Sequence, residues 1–422
     1  MLWLLLAACS GSGSDSKSGD SAPASADPDA PTWYGDVEPI VASRCVGCHT
    51  AGEIGGFPLS DYEAVKAIRE AVAASVVTRR MPPWKADPGC NDYLGDPSLT
   101  DEEIDTIVAW SEAGGPEGDP ADHFAVEPWR DEALARVDLE LPMPITYTPT
   151  AAPDDYRCFL AEWPGDTARY VTGFDIRPGN LEILHHVVLF IVEPGDDAPY
   201  RALDEADPAP GYTCYGGPGP DSIESLSNTG WLGSWAPGGG TNVFPEGTGI
   251  RMEPGSLVVM QMHYNTATTT GEDLTTIDLQ LEDSVEHGAY IQPWTDIAWV
   301  MGNGMEIPAG EAGVSHTFEY PISAGDGGFF LHSSALHMHQ MGRTARMSIA
   351  HADGTETCMA SISDWDFAWQ RTYWMEEPVQ VQQGDVFRLE CSWDNTTDQD
   401  AQWGEGTGDE MCLGITYLTD VY

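Results

Sequence analysis

Lysine is almost absent from this chain. Only Lys17, Lys66 and Lys85 occur, and Lys and Arg together number 18 against 68 acidic residues, a formal charge of −50 over 422 residues. Phosphate backbones are bound by clustered Lys and Arg, so no nucleic acid is expected as a partner. Such acidity describes a solvated surface of the kind a salt-tolerant or exported protein carries. Long apolar runs are also missing. Beyond the N-terminal MLWLLLAAC, no stretch approaches the ~18 apolar residues of a membrane-spanning helix, so any hold on a membrane is expected to come from a lipid anchor only. No short-period internal repeat is visible.

What is present begins with that apolar start. Residues 1–9 end in Leu6-Ala7-Ala8-Cys9 and a small, polar, proline-containing stretch follows to residue 31. The pattern resembles a bacterial lipoprotein signal, with cleavage before Cys9 and lipid on its thiol, followed by a disordered linker over residues 10–31. A plain secretory signal with a chance cysteine is the alternative. Both imply export to the periplasmic or cell-surface side of a membrane, where thiols oxidise. With Cys9, Cys45 and Cys48 set aside, Cys90, Cys158, Cys214, Cys358, Cys391 and Cys412 form an even set suited to three disulfides, whose connectivity spacing alone does not decide.

Residues 32–120 read as helical. Apolar positions recur at helical spacing over residues 62–77, and Thr100-Asp101-Glu102-Glu103 is a capping box opening a helix with Ile104, Ile107, Val108 and Trp110. Gly114-Gly115-Pro116 ends it. After a connecting segment, 121–145, the texture changes to short apolar or alternating runs separated by Gly, Pro, Asp and Asn, which is the texture of antiparallel β-sandwiches. Roughly 280 such residues exceed one sandwich, so a division near Pro293 into 146–292 and 293–422 is expected. The expected fold class is multidomain: a small all-α domain followed by two all-β antiparallel sandwich domains, jelly-roll-like in character.

Cys45-Val46-Gly47-Cys48-His49 places two thiols within reach of the haem vinyls while the imidazole meets the iron from one side, so a c-type haem is expected on Cys45, Cys48 and His49. A zinc knuckle or redox CxxC would want further Cys or His nearby, and the flanking helices supply none. Met81, in Arg79-Arg80-Met81-Pro82-Pro83-Trp84, is the natural sixth ligand, because residues 50–99 contain no other Met and no His. A thioether there favours the ferrous state, which suits electron transfer. The segment resembles a class I cytochrome c.

Three clusters mark the strand-rich part: Leu184-His185-His186-Val187, Gln261-Met262-His263-Tyr264 and Leu336-His337-Met338-His339. His337 and His339 are two apart and share a strand face, as a metal-binding pair requires. His185 and His186 are adjacent, so sharing one metal demands a bulge or strand end. Each cluster taken singly is equally compatible with satisfied structural histidines. His123, His287, His316, His332 and His351 have no motif behind them, although His332 lies close to His337.

Taken together, the order and flanks of these clusters resemble the copper type II, ascorbate-dependent monooxygenases. The match runs from Asp155-Tyr156-Arg157-Cys158 through His185-His186, Pro245-Glu246-Gly247-Thr248-Gly249, His263-Tyr264, Ile307-Pro308-Ala309-Gly310-Glu311 and His337-Met338-His339 to Gly406-Thr407-Gly408-Asp409-Glu410-Met411-Cys412. The resemblance implies an electron-transfer copper on His185, His186 and His263, and an oxygen-activating copper on His337, His339 and Met411. Three imidazoles serve both Cu(I) and Cu(II), while a thioether softens the second site toward Cu(I). It also implies disulfides Cys158–Cys214 and Cys391–Cys412, which leaves Cys90 and Cys358 as a pair by subtraction.

The activity implied is hydroxylation of a C–H bond of a small organic substrate by dioxygen, with two electrons from an ascorbate-like reductant or a periplasmic carrier, delivered here through the fused haem. Peptide-amidating members carry an arginine two residues before the HxH pair and an Asn and Tyr just after the Met-Cys pair. Ala335, Leu413 and Ile415 stand there instead, so peptide C-termini are not expected as substrates and a more apolar cavity is. A non-catalytic electron-transfer or copper-binding protein is the alternative. A blue-copper oxidase fits less well, because its site needs a cysteine thiolate.

Overall fold

The computed structural model describes residues 30–50, 55–123, 133–214, 217–220, 229–236, 240–323, 328–367, 369–404, 406 and 408–420. Cys9, segment 1–9 and nearly all of the 10–31 linker lie outside them. The chain divides into two compact units, one formed by Met1–Thr78 with Leu99–Trp129, the other by Arg79–Ser98 with Arg130–Tyr422.

The first unit is helical. A π-helical turn at Trp33–Val37 leads into α1 (Glu38–Arg44), followed by α2 (Tyr62–Ala67), α3 (Arg69–Val77) and α4 (Asp101–Glu112). The capping box forms as expected: Glu103 N donates to Thr100 Oγ1 at 3.2 Å and Thr100 N to Glu103 Oε2 at 2.8 Å. The three-residue spacing of Ile104, Ile107 and Trp110 gives α4 one apolar face, buried against Trp33, Val41, Tyr62 and Val65. Residues 62–77 do not form one helix, because Ile68 leaves helical geometry at φ −119°, ψ 16° and separates α2 from α3.

The second unit is built from strands. Its first half holds β1 (Leu139–Pro142), β2 (Asp154–Glu162), β3 (Arg169–Arg177), β4 (Leu184–Val192), β5 (Tyr212–Thr213), β6 (Gly230–Trp235), β7 (Asn242–Val243), β8 (Thr248–Met252), β9 (Leu257–Asn265), β10 (Thr276–Glu282) and β11 (His287–Trp294), with α5 at Ala198–Ala206. Its second half holds α6 (Ile297–Val300), β12 (Ala312–Pro321), β13 (Phe329–His337), β14 (Gly342–Ala350), β15 (Glu356–Ile362), β16 (Tyr373–Val381), β17 (Val386–Asp394) and β18 (Leu413–Asp420).

In the first half, the run β1-β10-β3-β8 and the run β6-β4-β9-β2-β5 enclose a core that includes Phe159, Phe174, Leu189, Leu232, Ile250 and Met260. Gly233 is required there. A Cβ on it would lie 2.3 Å from the Phe174 ring of the opposite layer, closer than any real contact. In the second half, β18-β13-β16 packs against the four-stranded sheet β12-β17-β14-β15 over Leu331, Leu336, Met347, Phe387, Leu389 and Trp393. Phe387, Leu389, Cys391 and Trp393 alternate with more exposed residues along β17, the two-residue period of a strand buried on one face. β11 joins the halves, pairing in parallel with β8 and antiparallel with β18, so one sheet continues from the first sandwich into the second.

The Arg79–Ser98 segment, which the helical pattern of residues 32–120 would assign to the helical domain, clusters with this strand-rich unit. Trp84, Ala86 and Tyr93 sit in the second core, and Cys90 is bonded to Cys358 on β15. Cys158–Cys214 and Cys391–Cys412 are also bonded, so all three pairings hold.

Candidate copper centres

His185 and His186 begin β4, and the β4–β9 ladder shifts register between Leu184 and His186. That irregularity is the bulge their adjacency demanded, and it lets both rings turn to one side. His263 stands opposite His186 on β9. His185 Nδ1 lies 3.3 Å and His263 Nδ1 3.4 Å from His186 Nδ1, and one nitrogen from each ring falls within 4.8 Å of the others. A metal bound about 2.0–2.1 Å from imidazole nitrogens holds neighbouring donors about 3 Å apart, so the cage fits one ion. His263 Nε2 donates to Asp154 Oδ1 at 2.9 Å, which fixes the tautomer with its lone pair on Nδ1. The Tyr156 ring stacks on His263 at 4.0 Å and 11°, locking its plane. Burial pushes His185 down to about 4, with His263 and His337 nearby reinforcing it, and depresses His186 strongly for the same first reason. Neutral imidazoles with available lone pairs are what a metal requires.

The second cluster lies where β13 ends. His337 is the last residue of the strand and His339 lies just past it, yet their rings remain 5.2 Å apart. His337 Nδ1 donates to Gln370 Oε1 at 2.6 Å and His339 Nδ1 to the Asp409 carbonyl at 3.0 Å, so each ring keeps Nε2 free as a donor. Burial lowers His337 to about 3 and His339 to about 4. Met411 is buried and sits between Glu410 and the disulfide-bonded Cys412. The Glu410 carboxylate accepts from His339 N at 2.9 Å, Met341 N at 2.6 Å and Trp393 Nε1 at 2.9 Å, tying the methionine segment to the HxH segment. Burial raises Glu410 to about 7, against those donors. In the β13–β18 register His337 faces Leu413, two residues beyond Met411. The two clusters are neighbours, with His186 and His337 ring centroids 6.4 Å apart.

Two models of one family match the chain: the N-terminal domain of copper type II ascorbate-dependent monooxygenase over residues 139–270, and its C-terminal domain over residues 300–420. Between them they take in more than half of the chain and all six donors. The chain belongs to the copper type II ascorbate-dependent monooxygenases. It is 23% identical to DBH-like monooxygenase protein 1 of Gallus gallus over 252 residues, 56% of this chain and 39% of that protein. It is 26% identical to peptidyl-glycine alpha-amidating monooxygenase A of Xenopus laevis over 307 residues, 67% of this chain and 28% of that protein. The chain thus spans well under half the length of these curated relatives.

The chain also has a cleft at Ala335, two residues before His337 on β13. Ala335, on the same face of β13 as His337, lines it with Ile415, Tyr417, Trp374, Phe244 and Phe174, and among the described residues no charged side chain borders it. Ala335 and Ile415 face each other across the β13–β18 ladder. Sequence reasoning had singled out those two positions, but it missed Asp154, Phe367 and Gln370. Asp154 abuts the Asp155-Tyr156-Arg157-Cys158 motif and was findable. Gln370 lies 33 residues from His337 and no local pattern marks it. Of the histidines without a motif, His123, His316 and His351 bond to Glu38, the Glu306 carbonyl and Asp385. His332 is buried beside Thr419 Oγ1 at 2.9 Å.

In the helical unit, Cys48 N and His49 N both donate to the Cys45 carbonyl, so the CxxCH run makes a helical turn following α1. Cys45 and Cys48 are unbridged and half-buried, and burial pushes the Cys45 thiol up to about 12. His49 Nδ1 donates to the Phe57 carbonyl at 3.2 Å, leaving Nε2 as the ligand nitrogen that a haem iron would take. Met81 belongs to the Arg79–Ser98 segment of the strand-rich unit.

Proposed function

We propose that this monooxygenase is an exported enzyme that hydroxylates a C–H bond of a small, uncharged organic molecule. The balance is R–H, dioxygen, two electrons and two protons giving R–OH and water. The observation that carries the reading is the presence, in one compact unit, of two donor sets in which a hydrogen bond on the opposite ring atom selects the free nitrogen of His263, His337 and His339. Copper held there would supply one-electron storage at His185, His186 and His263, and dioxygen activation at His337, His339 and Met411. The chain's own residues do the rest. Asp154, Gln370 and the Asp409 carbonyl orient the rings of His263, His337 and His339, burial keeps His185, His186, His337 and His339 unprotonated, and the cleft beside Ala335 receives the substrate.

Electrons enter, on this reading, from an ascorbate-like reductant or a periplasmic carrier through a c-type haem on Cys45, Cys48 and His49. Export, with a lipid on Cys9, agrees with three disulfides, which form and persist in oxidising compartments.

Metal analysis of the full chain is expected to find copper for both donor sets alongside one haem. Pre-reduced protein mixed with dioxygen in stopped flow should reoxidise its haem only when copper is bound. Met411→Ala should abolish that oxidation and leave the haem reducible. Copper-independent reoxidation would overturn the electron path, and a chain that retains no copper would overturn the whole reading.

A further inference from the structure

The connection between β15 and β16 passes beside both histidine clusters. The Phe367 ring stacks on His185 at 4.9 Å and 27°, and meets His339 at 5.9 Å and 75°, so one side chain touches both sites. Three residues on, Gln370 Nε2 donates to the Phe367 carbonyl at 2.9 Å. A carbonyl only accepts, so the amide orientation is settled and Oε1 is left to face His337 Nδ1 at 2.6 Å. The acceptor then demands the hydrogen on Nδ1 of His337 and the lone pair on Nε2. Trp365 Nε1 donates to the His339 carbonyl at 3.1 Å, so the same connection also grips the second histidine's backbone.

Both ends of this connection are held by the Arg79–Ser98 segment. At its start, Lys85 Nζ pairs with Asp364 Oδ2 at 2.9 Å, and the Asp87 carboxylate accepts from Ser361 Oγ and Ser363 Oγ, each at 2.6 Å. The Asp87 amide donates to the Ser361 carbonyl at 2.7 Å. At its end, the Arg371 guanidinium lies over the Trp84 ring at 5.0 Å, and Trp84 packs edge-on against Tyr373 at 5.0 Å. The Cys90–Cys358 disulfide anchors the segment to β15.

We propose that Gln370 is a positioning residue for the second copper site, holding the His337 tautomer that offers Nε2 to the metal, and that the Lys85–Asp87 clamp holds the connection that carries it. The proposal rests on the copper reading above. It places control of the second site in a segment distant in sequence from every copper ligand. Replacing Gln370 by an apolar residue leaves His337 Nδ1 without its acceptor, and the ring can then turn or present the wrong nitrogen.

Copper affinity of each site in the full chain can be read by competition with a chromogenic Cu(I) chelator, and site geometry by Cu(II) electron paramagnetic resonance. Gln370→Leu is expected to weaken one of two copper sites about 10- to 100-fold, the range for losing such a partner, and to change that site's hyperfine pattern while leaving the other untouched. Gln370→Glu, which keeps an acceptor oxygen, should restore both readouts, whereas a merely structural role would make the two variants behave alike. Asp87→Asn should weaken the same site several-fold. Two sites of wild-type affinity and spectrum in Gln370→Leu, or a Gln370→Glu protein as weak as Gln370→Leu, overturns the role of Gln370. Unchanged affinity in Asp87→Asn overturns the clamp. A wild-type chain that binds fewer than two coppers counts instead against the copper reading itself.

Discussion

Two kinds of buried imidazole occur in the strand-rich unit, and they carry different consequences. His332 is buried, hydrogen-bonded to Thr419 Oγ1 and edge-on to Tyr417, outside both donor sets. Burial lowers it to about 4 from an ordinary 6.5, with His287 reinforcing the shift. Between those values the unfolded chain takes up a proton that the folded chain refuses. The contribution of His332 to stability is therefore full above about pH 6.5 and falls as the pH drops toward 4, by an amount on the order of 3 kcal/mol. Denaturant titrations across that window should show the slope, and His332→Gln should make it shallower, leaving the part that the buried histidines of the two donor sets contribute. Asp154 tests the other kind. Asp154→Ala removes the acceptor from His263 Nε2, and an expected 10- to 100-fold loss of copper affinity at the three-histidine site can be measured by chelator competition. Unaltered affinity would show that Tyr156 stacking alone orients the ring.

Among the elements, the bulge at the start of β4 was legible as a requirement before it was visible as a structure. Two adjacent histidines serve one metal only if the strand's alternation is broken, and the β4–β9 register breaks there. His337 and His339 were legible for the opposite reason, since alternation itself puts them on one face. The 62–77 helix was less legible, because nothing in its spacing marks the interruption at Ile68. Cys391–Cys412 closes a 21-residue separation between β17 and the start of β18. Cys391→Ala with Cys412→Ala is expected to cost about 3 kcal/mol from loop entropy. Because Met411 adjoins Cys412, this variant should also loosen the second copper site more than the first. Thermal melts with site-resolved copper titrations check both effects, and equal losses at the two sites would separate the disulfide from the placement of Met411.

For the molecule as a whole, the division into two compact units predicts separable behaviour. Saturating copper binds only the folded strand-rich unit, and at a thousandfold excess over the dissociation constant it adds ~4 kcal/mol per site. Calorimetry of the full chain is expected to show that unit's transition rise by several degrees with copper and fall with a chelator, while the helical unit's transition stays in place. A single transition that moves as one would mean the two units unfold together.

The sequence by itself determined what is local. Haem attachment is expected from five consecutive residues, the capping box from four, and strand or helix from periods of two or three to four, because these depend on neighbours along the chain. Resemblance carried the six proposed copper donors, as types of residue in order, and two of the disulfides that the structure holds. Tertiary structure alone decided which ring nitrogen of His263, His337 and His339 is free, because that follows from Asp154, Gln370 and the Asp409 carbonyl, which strand order and register bring in from afar. It also decided that the Arg79–Ser98 segment packs with the second sandwich. That packing buries Trp84 and Tyr93 and spans 268 residues at Cys90–Cys358, a distance over which no local spacing carries information.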